Sequence, residues 1–587
     1  MSTKKPGAKK ARKKAKKLSP DELKRRKLKN DHVRSVRSVF RNLGFDRVGE
    51  VAGVDVEVSS QKGEFDDCFL LENLILLVEY TTTQGSEVSG HIKHKKIIFS
   101  NILANTGEFI AYLREKIPAF DTRLGTRFHA DQYIVKIVYC SRFAFDASVK
   151  EVVTEPVYLD YPALKYFDKL ASIIKLSALS ETLHFLGIAP KDIAKGGVFS
   201  KSANESYDGS ILPEASSGLP KGYKVVSFYV DAAALLDRAY VLRRDGWRSS
   251  YQAYQRMISG PKIDAIRKKL KTDRQVFMNN LIATLPDDVH PVGRDGKTID
   301  IVGLKKTAPV TISLPQKANS IGLIDGQHRL YSYYEAKDDD PQIAQLRHHQ
   351  NLLVTGIIYP PGTKHTERER FEATLFLAIN SNQTNAPTPL RQEIEVFLTP
   401  YSPVAIGRQV MRRLAATGPL SGYVEEYFFD KGKLKTSSIV SYGLGPLLKL
   451  SGNDSLFAVF SHTEKSLIEK GGSEDALMAY VQFATTSINT FLGAAKSNLD
   501  KERWTTDAAV KNRLLAVTYV NSFLITMRHL IEHGHSLDFE YLKTSLSGIN
   551  TFNFKAYHSS QYARMAEKIY QQYFEKAPPP TVQDTGA

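Results

Sequence analysis

The sequence predicts a multidomain protein of mixed α/β class, for three reasons. A chain of 587 residues is too long for one hydrophobic core, so about two to four domains are expected. Between residues 31 and 190, predicted helices alternate with apolar runs typical of buried strands. Between residues 401 and 575, the apolar spacing is mostly helical, which predicts a helical C-terminal region.

The composition is that of a globular protein rather than a membrane or secreted one. Hydrophobic residues make up 42% of the chain and charged residues 24%. No apolar run reaches the length of a membrane span, and no apolar signal core follows the N-terminal lysines. Cys68 and Cys140 both lie in apolar surroundings, which predicts buried thiols in a reducing cytoplasm. We therefore expect a cytoplasmic, nucleoid-associated protein with no membrane partner.

Positive charge is concentrated at the N-terminal end of the chain. Residues 1–30 contain 14 Lys and Arg and 2 acidic residues, so they carry +12 of the total net charge of +17. The stretch 4–17 lacks apolar periodicity, and we expect 1–30 to be a basic disordered tail. Such a polycation binds DNA without sequence preference and releases it as salt rises. A tail that only keeps the protein soluble is the alternative.

The elements predicted for residues 31–190 follow the order α-β-β-β-α-β. A helix start is predicted at 19–22, with Ser19 as the cap and Pro20 at the first helical position. The other predicted elements are a helix at 31–43, strands at 54–58 and 66–83, a helix at 87–104, a strand at 132–140 and a helix at 161–188.

Two groups of carboxylates mark one end of the predicted strands in this domain. Asp66 and Asp67 precede an apolar strand, and Glu79 lies in the strand that follows. Carboxylates brought together at one end of paired strands can hold Mg²⁺ through oxygen ligands. A metal held there can activate water and stabilise the charge that develops on a scissile phosphate. Carboxylates that are merely solvated at strand ends are the alternative.

This arrangement resembles the core of the PD-(D/E)XK restriction endonucleases, whose pattern is Asp, a spacer, and then Glu-x-Lys. The sequence departs from that pattern at Thr81, which stands where lysine is expected. In this superfamily the lysine can move to the following helix, where the basic stretch 91–96 offers candidates, of which we select Lys93. The resemblance implies a catalytic set of Asp66, Asp67, Glu79, Thr81 and Lys93, with Asp66, Asp67 and Glu79 as the metal ligands. The domain is then an active nuclease, an inactive nuclease-like DNA binder, or an unrelated α/β domain.

Composition and spacing divide the rest of the chain. Residues 201–222 are rich in Ser, Gly, Pro and Asn, so we expect an interdomain linker at 191–222. The helical pattern after residue 400 is clearest at 406–414, 476–492 and 510–531. Residues 576–587 contain a run of prolines, which predicts a second disordered tail.

The most informative stretch of the chain, residues 321–336, reads Ile-Gly-Leu-Ile-Asp-Gly-Gln-His-Arg-Leu-Tyr-Ser-Tyr-Tyr-Glu-Ala. An apolar run ends at Asp325 and Gly326, and a polar cluster followed by helical spacing comes next. This pattern predicts a strand end, a glycine turn and a helix start in direct succession. A helix start exposes backbone N–H groups that suit phosphate, and Arg329 could add a bidentate contact. A helix cap whose polar residues face water is the alternative.

Three segments in this order resemble the DGQHR-domain family, which is named for the residues found here at 325–329. The other two segments are 254–270 and 376–390. The family includes DndB-type proteins of DNA phosphorothioation systems and relatives in deazapurine DNA-modification systems. It is distantly similar to the ParB/sulfiredoxin fold, in which a Gly-Glu-Arg-Arg turn at the same junction holds nucleotide phosphates. The resemblance therefore implies a ParB-like α+β domain at 223–400.

The resemblance also implies a nucleotide- or phosphate-binding cleft, with ATP or another NTP as ligand and NTPase activity as its chemistry. Gly326 would allow close approach of a phosphate, Arg329 would contact it, and Gln327 or His328 would orient it or an attacking water. The implied binding residues are Asp325, Gly326, Gln327, His328, Arg329, Gln255, Arg256, Asn380 and Gln383. In a competing structural interpretation, Arg329 is buried against a carboxylate such as Asp325.

These features together predict a prokaryotic DNA-binding protein of a DNA-modification or anti-phage defence system. The expected activity is that of a Mg²⁺-dependent DNA endonuclease, with a DGQHR domain that binds nucleotide or phosphate. The alternative is a non-catalytic transcriptional regulator or a subunit that recruits a DNA-modification enzyme. The expected partners are DNA, a nucleotide, DNA-modification proteins and a second copy of the chain.

Overall fold

The chain folds as two units of mixed α/β structure. A computed structural model describes residues 19–83, 86–145, 147–193, 206–243, 247–248, 255–383 and 388–576. The first unit comprises residues up to 200 together with Tyr334–Asp340, and the second comprises the remainder. The segment Tyr334–Asp340 is held to the first unit by backbone bonds, because the Leu176 N–H donates to the Glu335 carbonyl oxygen at 3.0 Å.

A five-stranded sheet forms the centre of the first unit, in the order β1-β4-β5-β6-β7. Its strands and a separate β2–β3 hairpin are β1 (Asp46–Arg47), β2 (Val56–Val58), β3 (Gln61–Gly63), β4 (Asp67–Leu71), β5 (Leu74–Thr81), β6 (Ile134–Ser141) and β7 (Val157–Leu159). The pairs β1–β4 and β4–β5 are antiparallel, whereas the pairs β5–β6 and β6–β7 are parallel. Residues 74–78 are all buried, as expected for a strand covered on both faces.

Seven α-helices accompany this sheet in the described part of the unit, and the elements follow the predicted α-β-β-β-α-β order. They are α1 (Pro20–Asn42), α2 (Ser86–Ala104), α3 (Thr106–Lys116), α4 (Pro118–Leu124), α5 (Ala147–Val152), α6 (Tyr161–Ile174) and α7 (Leu179–Phe185). Ser19 and Glu22 form a capping box at the start of α1, which confirms the predicted cap. The prediction of a disordered tail over 1–30 is wrong for residues 20–30, because this capped start makes them the first turns of α1. Residues 1–18 lie outside the described part of the chain.

The second unit contains a seven-stranded sheet in the order β10-β13-β11-β14-β9-β8-β12. Its strands are β8 (Ser206–Ile211), β9 (Lys224–Asp231), β10 (Ala239–Tyr240), β11 (Leu281–Leu285), β12 (Ala308–Ser313), β13 (Ile321–Asp325) and β14 (Asn351–Ile358). Strand β8 contradicts the predicted linker at 191–222 over residues 206–211, because it pairs with both β9 and β12. Residues 194–205 of the predicted linker lie outside the described part of the chain. The linker was predicted from a composition rich in glycine and polar residues, but one of these glycines is required by strand packing. A Cβ at Gly209 would lie 2.5 Å from the Ser227 carbonyl oxygen.

The helices of the second unit pack partly on this sheet and partly on one another. Those before residue 400 are α8 (Glu214–Ser217), α9 (Ala232–Arg238), α10 (Gly260–Asp273), α11 (Gln327–Tyr331), α12 (Pro341–His349), α13 (His365–Gln383) and α14 (Thr388–Leu398). The C-terminal region is helical, as predicted, with α15 (Pro403–Ala416), α16 (Thr436–Ser438), α17 (Gly445–Leu448), α18 (Leu456–Val459), α19 (Lys465–Glu469), α20 (Glu474–Ser497), α21 (Val517–Glu532), α22 (Phe539–Ser545) and α23 (Tyr562–Tyr573). A π-helical turn, Ile439–Leu444, joins α16 to α17.

A buried carboxylate ties α13 to the second sheet. Glu372 is 2% exposed, and its Oε1 accepts hydrogen bonds from Thr284 Oγ1 at 2.6 Å, Tyr359 OH at 2.7 Å and Tyr240 OH at 3.2 Å. Burial and the nearby Glu372 charge raise the pKa of both tyrosines, so their hydroxyls remain protonated donors.

Two further expectations concern the whole chain. Both cysteines are buried free thiols, as predicted, and burial raises the pKa of each. Among the residues that the structure describes, no helix combines the length and apolarity needed to cross a bilayer.

Candidate functional site

Two of the predicted carboxylates lie where β4 meets β5. Asp67 lies opposite Val78 in this antiparallel pair, whereas Asp66 precedes β4 and its N–H donates to the Val78 carbonyl oxygen at 3.0 Å, so the regular ladder ends at Asp67. The Asp66 Oδ2 accepts from the backbone N–H of Tyr80, the residue after Glu79, and the Asp66 charge helps to raise the pKa of Glu79. The Asp67 carboxylate instead accepts from the Tyr80 hydroxyl. Because successive residues of β5 alternate between faces, Asp67 lies on the Tyr80 face of the sheet, and Asp66 lies beside Glu79.

Asp67 is a structural residue, so its assignment as a catalytic and metal-binding residue is wrong. Its side chain is fully buried and accepts from Arg37 Nε at 2.6 Å, Arg47 Nε at 2.5 Å and Tyr80 OH at 2.9 Å. Arg37 belongs to α1, so this carboxylate joins the sheet to the helix on the face opposite Glu79. The sequence could not separate two adjacent aspartates because the register that divides them depends on the partner strand.

Glu79 forms the centre of the candidate site. Its side chain is 3% exposed, and Lys95 Nζ on α2 lies 2.5 Å from its Oε1. Lys95 Nζ also donates to the Glu64 carbonyl oxygen at 2.7 Å. Burial raises the pKa of Glu79 to about 7, the nearby Lys95 opposes this effect, and the Asp66 and Glu64 carboxylates add to it. A buried acidic group with carboxylate neighbours favours cations.

The lysine of the site comes from the helix, at a different position from the one we predicted. Thr81 occupies the expected strand position, and its Oγ1 lies 2.8 Å from the Thr83 Oγ1. Lys93 is exposed, whereas Lys95 reaches Glu79. Side chains two positions apart on a helix differ by about 200° in direction. Lys93 and Lys95 therefore point to nearly opposite sides of α2.

A sequence signal could have identified Lys95. It lies three residues after the buried Ile92 and four residues before the buried Phe99. That spacing puts it on the apolar face of the helix, where a lysine is unusual.

His91 and Tyr139 complete the surroundings of Glu79 and were missed by the sequence analysis. Tyr139 is aligned with Glu79 across the parallel β5–β6 pair, and its hydroxyl lies 2.8 Å from His91 Nδ1. His91 is one helical turn before Lys95. Burial lowers the pKa of His91, and the neighbouring Lys95 charge lowers it further. The only available signal was the i, i+4 spacing of His91 and Lys95, which places both on one face of α2.

The donor set at this face fits a hard divalent cation. Magnesium is commonly held by one or two carboxylates, with water and substrate phosphate as its other ligands. Asp66 and Glu79 supply those carboxylates, and Asp66 Oδ2 is oriented by the Tyr80 N–H at 2.8 Å. No cluster of three or more His, Cys, Asp or Glu side chains suited to metal binding occurs in the described ranges. Two carboxylates leave coordination positions of magnesium for water and a substrate phosphate.

The DGQHR segment forms the predicted strand, turn and helix, and its glycine is required by packing. Strand β13 ends at Asp325, Gly326 has a φ of +99°, and α11 begins at Gln327. A Cβ at Gly326 would lie 2.2 Å from the Leu281 side chain and 3.1 Å from Arg329 Nη2. Gly326 therefore brings the chain close to Leu281 and Arg329.

Arg329 contacts protein groups, as in the alternative interpretation in which it pairs with Asp325. Its Nη2 lies 2.8 Å from Asp325 Oδ2 and 2.9 Å from the Asn280 carbonyl oxygen. The guanidinium thus connects the end of β13 to the residue before β11. Its buried Nε has no hydrogen-bond partner in the described part of the chain.

Gln327 and His328 join α11 to the segment before α10. Gln327 Oε1 accepts from Arg243 Nε at 3.0 Å, and its Nε2 donates to the Arg256 carbonyl oxygen at 3.2 Å. His328 Nε2 accepts from the Ser259 N–H at 3.1 Å. Burial lowers the pKa of His328 to about 4, and the nearby cations reinforce this shift, so the ring is neutral at pH 7.

The structure brings part of the implied cleft to the motif. The Gln255 Nε2 donates to the Leu323 carbonyl oxygen, and the Arg256 backbone contacts Gln327, although the Arg256 side chain is exposed. Asn380 donates to the Phe376 carbonyl oxygen of its own helix at 2.9 Å. The Gln383 side chain lies outside the described residues.

No family model, curated protein or solved structure significantly matches this chain.

The two adjacent aspartates should respond differently to substitution. Asp67→Asn leaves two partly exposed arginines without their countercharge and should lower the free energy of unfolding by about 3 kcal/mol, the lower end for a broken buried ion pair. Asp66→Asn keeps an acceptor for the Tyr80 N–H and should cost less than about 1 kcal/mol. Thermal denaturation of the full chain measures both. Equal losses would contradict the division of roles.

Arg329→Ala should destabilise the second unit. Losing the contacts to Asp325 and Asn280 should cost about 1–3 kcal/mol, because a charged hydrogen-bonding group leaves its partners unpaired. Arg256→Ala is the matched control and should melt like the wild type, since only its backbone contacts the motif. If Arg329→Ala keeps the wild-type melting temperature but loses nucleotide or phosphate binding, the motif is a ligand site.

His328 should make stability depend on pH below 6.5. Its pKa is about 4 when folded, against an ordinary 6.5, so only the unfolded chain takes up this proton as the pH falls between those values. Stability should fall on acidification by less than the limiting value of about 1.4 kcal/mol per pH unit, because the ring is partly exposed. His328→Gln should flatten the melting curve against pH, and His290→Gln, at an exposed histidine, should not. Identical pH profiles for wild type and His328→Gln would refute this assignment.

Proposed function

We propose that the first unit is a metal-dependent DNA endonuclease of the PD-(D/E)XK type, within a protein of a prokaryotic DNA-modification or anti-phage defence system. The observation that carries the proposal is the convergence of Asp66, Glu79 and Lys95: Lys95 Nζ lies 2.5 Å from Glu79 Oε1, and Asp66 Oδ2 accepts from the N–H of Tyr80, the next residue of β5. This is the combination of two carboxylates and a lysine that the resemblance implies, with the lysine supplied by α2.

The surrounding architecture supports the proposal. An antiparallel β4–β5 pair is followed by α2 and then by the parallel strand β6, in the order that the resemblance implies. Helices α1 and α2 contribute Arg37 and Lys95 to opposite faces of that pair. Glu79 and Lys95 are carried on a strand and a helix, and Asp66 directly precedes β4, which favours a rigid geometry.

Each side chain has a distinct role in the proposed reaction. Magnesium bound by Asp66 and Glu79 would polarise a phosphoryl oxygen and lower the pKa of a bound water. Lys95 orients the Glu79 carboxylate and places a positive charge where negative charge develops on the phosphate. Tyr80 orients Asp66 through its backbone N–H, at 2.8 Å from Oδ2. His91 and Tyr139 border the site, where the buried Tyr139 hydroxyl lies 2.8 Å from His91 Nδ1.

DNA is the substrate that the charge distribution favours. The cations of residues 24–29 lie exposed on the first turns of α1, and the residues before them add further positive charge. Basic surfaces of this kind bind phosphate backbones by releasing condensed counterions.

We leave nucleotide hydrolysis by the DGQHR motif out of this proposal, because Arg329, Gln327 and His328 are each engaged by protein groups. Membership of the second unit in the DGQHR family remains part of the proposal, on the strength of the strand–turn–helix junction. The motif then has a structural role in this chain.

Cleavage assays with matched variants test the nuclease. Supercoiled and linear DNA, with and without modified bases, would be incubated with the full chain in Mg²⁺ or Mn²⁺. Asp66→Asn and Glu79→Gln should abolish cleavage, and Lys95→Ala should slow it by at least about 100-fold, as for loss of one transition-state contact. Lys93→Ala, at an exposed position on the same helix, should cleave at the wild-type rate.

The cleavage results distinguish a nuclease from a non-catalytic DNA-binding protein. Thermal melting of each variant excludes unfolding as the cause, and Asp66→Asn is the mildest change because it keeps the Tyr80 contact. A wild type that binds all these DNAs but cuts none, under either metal, is a non-catalytic DNA-binding regulator or recruiting subunit. Cleavage that survives both Asp66→Asn and Glu79→Gln would show that the site lies elsewhere.

A further inference from the structure

A basic surface pocket lies in the helical region of the second unit, far along the chain from the candidate nuclease site. It has a volume of about 280 Å³ and is formed by the segment 503–519 together with residues 550–555. This volume is near the lower limit of about 300 Å³ that is typical of small-molecule sites.

The pocket concentrates positive charge without any acidic group. Arg503, Lys511, Arg513 and Lys555 line it, and no Asp or Glu is among its lining residues. Within the described ranges, none of these four cations forms an ion pair with a carboxylate. Four like charges around one small cavity repel each other, so an anion bound there would relieve their repulsion.

Arg503 is held rigidly by neutral groups that leave its charge uncompensated. Its Nε donates to the Asn512 carbonyl oxygen at 3.3 Å, and its Nη1 donates to Asn550 Oδ1 at 2.7 Å and to the Asn550 carbonyl oxygen. The guanidinium also lies 5.7 Å from the centre of the Phe554 ring. A preorganised guanidinium suits phosphate because its geometry matches the phosphate oxygens.

An aromatic wall adds a second feature of nucleotide recognition. Tyr519 is partly exposed, lines the pocket and packs edge-on against Phe554, with ring centres 5.6 Å apart. An aromatic face beside clustered cations is the combination that binds the base and phosphate of single-stranded nucleic acid. A basic surface that is only exposed to water does not need an aromatic side chain beside its cations.

We propose that this pocket binds a phosphate group that carries a nucleoside. Two sources supply that chemistry, the backbone of a nucleic acid strand and a free nucleotide. The inference is independent of the proposed nuclease activity, because it uses a different unit and different residues.

Binding to the full chain distinguishes these sources. Fluorescence anisotropy would measure a labelled single-stranded oligonucleotide over a range of salt concentrations, and calorimetry would measure AMP and inorganic phosphate. The double variant Lys511→Ala/Lys555→Ala removes two exposed cations of the pocket. Lys501→Ala/Lys543→Ala is the matched control, since both residues are exposed and neither lines the pocket.

For the oligonucleotide, log affinity falls as log salt rises. The pocket variant should make this slope shallower by about 2, because each lost phosphate contact reduces its magnitude by about 1. The control should keep the wild-type slope. An unchanged slope with at least about a tenfold loss of affinity for AMP would identify the free nucleotide as the source, whereas a loss for inorganic phosphate alone would overturn the role of the nucleoside. Wild-type behaviour of the pocket variant towards all three ligands, or equal losses in the control, would overturn the proposal.

Discussion

The pairing of β4 with β5 is the constraint on which the first unit depends. Asp67 lies opposite Val78 and its carboxylate accepts from the Tyr80 hydroxyl, whereas Asp66 precedes the strand and lies beside Glu79. Asp67 neutralises two arginines and joins α1 to the sheet. A slip of β4 by one residue would move Asp67 away from these groups and leave a buried charge without its partners.

The Glu79–Lys95 pair combines a cost in stability with a benefit for binding. Burial makes the charged form of Glu79 unfavourable, which is why its pKa rises despite the lysine at 2.5 Å. A second cation that enters the site would offset the remaining repulsion among Glu79, Asp66 and Glu64. The same face that is electrostatically unfavourable in the protein alone is thereby suited to a metal and a phosphate.

Local patterns predicted the elements of the fold well, whereas features set by tertiary pairing escaped them. The Ser19 cap, the buried strand at 74–81 and the turn at Gly326 each have a signal within a few residues, and each was found. Strand β8 was taken for a linker because its polar composition is compatible with a strand only when β9 and β12 lie on either side of it. The choice between Asp66 and Asp67 likewise depends on a partner strand that sequence periodicity does not reveal.

The site residues show the same division. Glu79 was predicted from its place in an apolar strand, but the lysine was placed two residues too early because the buried face of α2 was not used to choose it. The contacts of Arg329 could be stated only as one of two interpretations, since an arginine four residues after an aspartate can pair with it or with a phosphate. Tyr139 reaches the site through the parallel β5–β6 register, which no local pattern indicates.

Iron-directed backbone cleavage tests most directly whether Asp66 and Glu79 hold a divalent metal. Full-length protein would be loaded with Fe²⁺ and treated with ascorbate and peroxide, and the fragments would be mapped by mass spectrometry. If these residues hold the metal, cuts are expected next to residues 66 and 79, and excess Mg²⁺ should suppress them. These cuts should disappear in Asp66→Asn and persist in Asp131→Asn, at an exposed acidic residue away from the site. Cuts that occur only elsewhere, or that Mg²⁺ and Asp66→Asn leave unchanged, would contradict it.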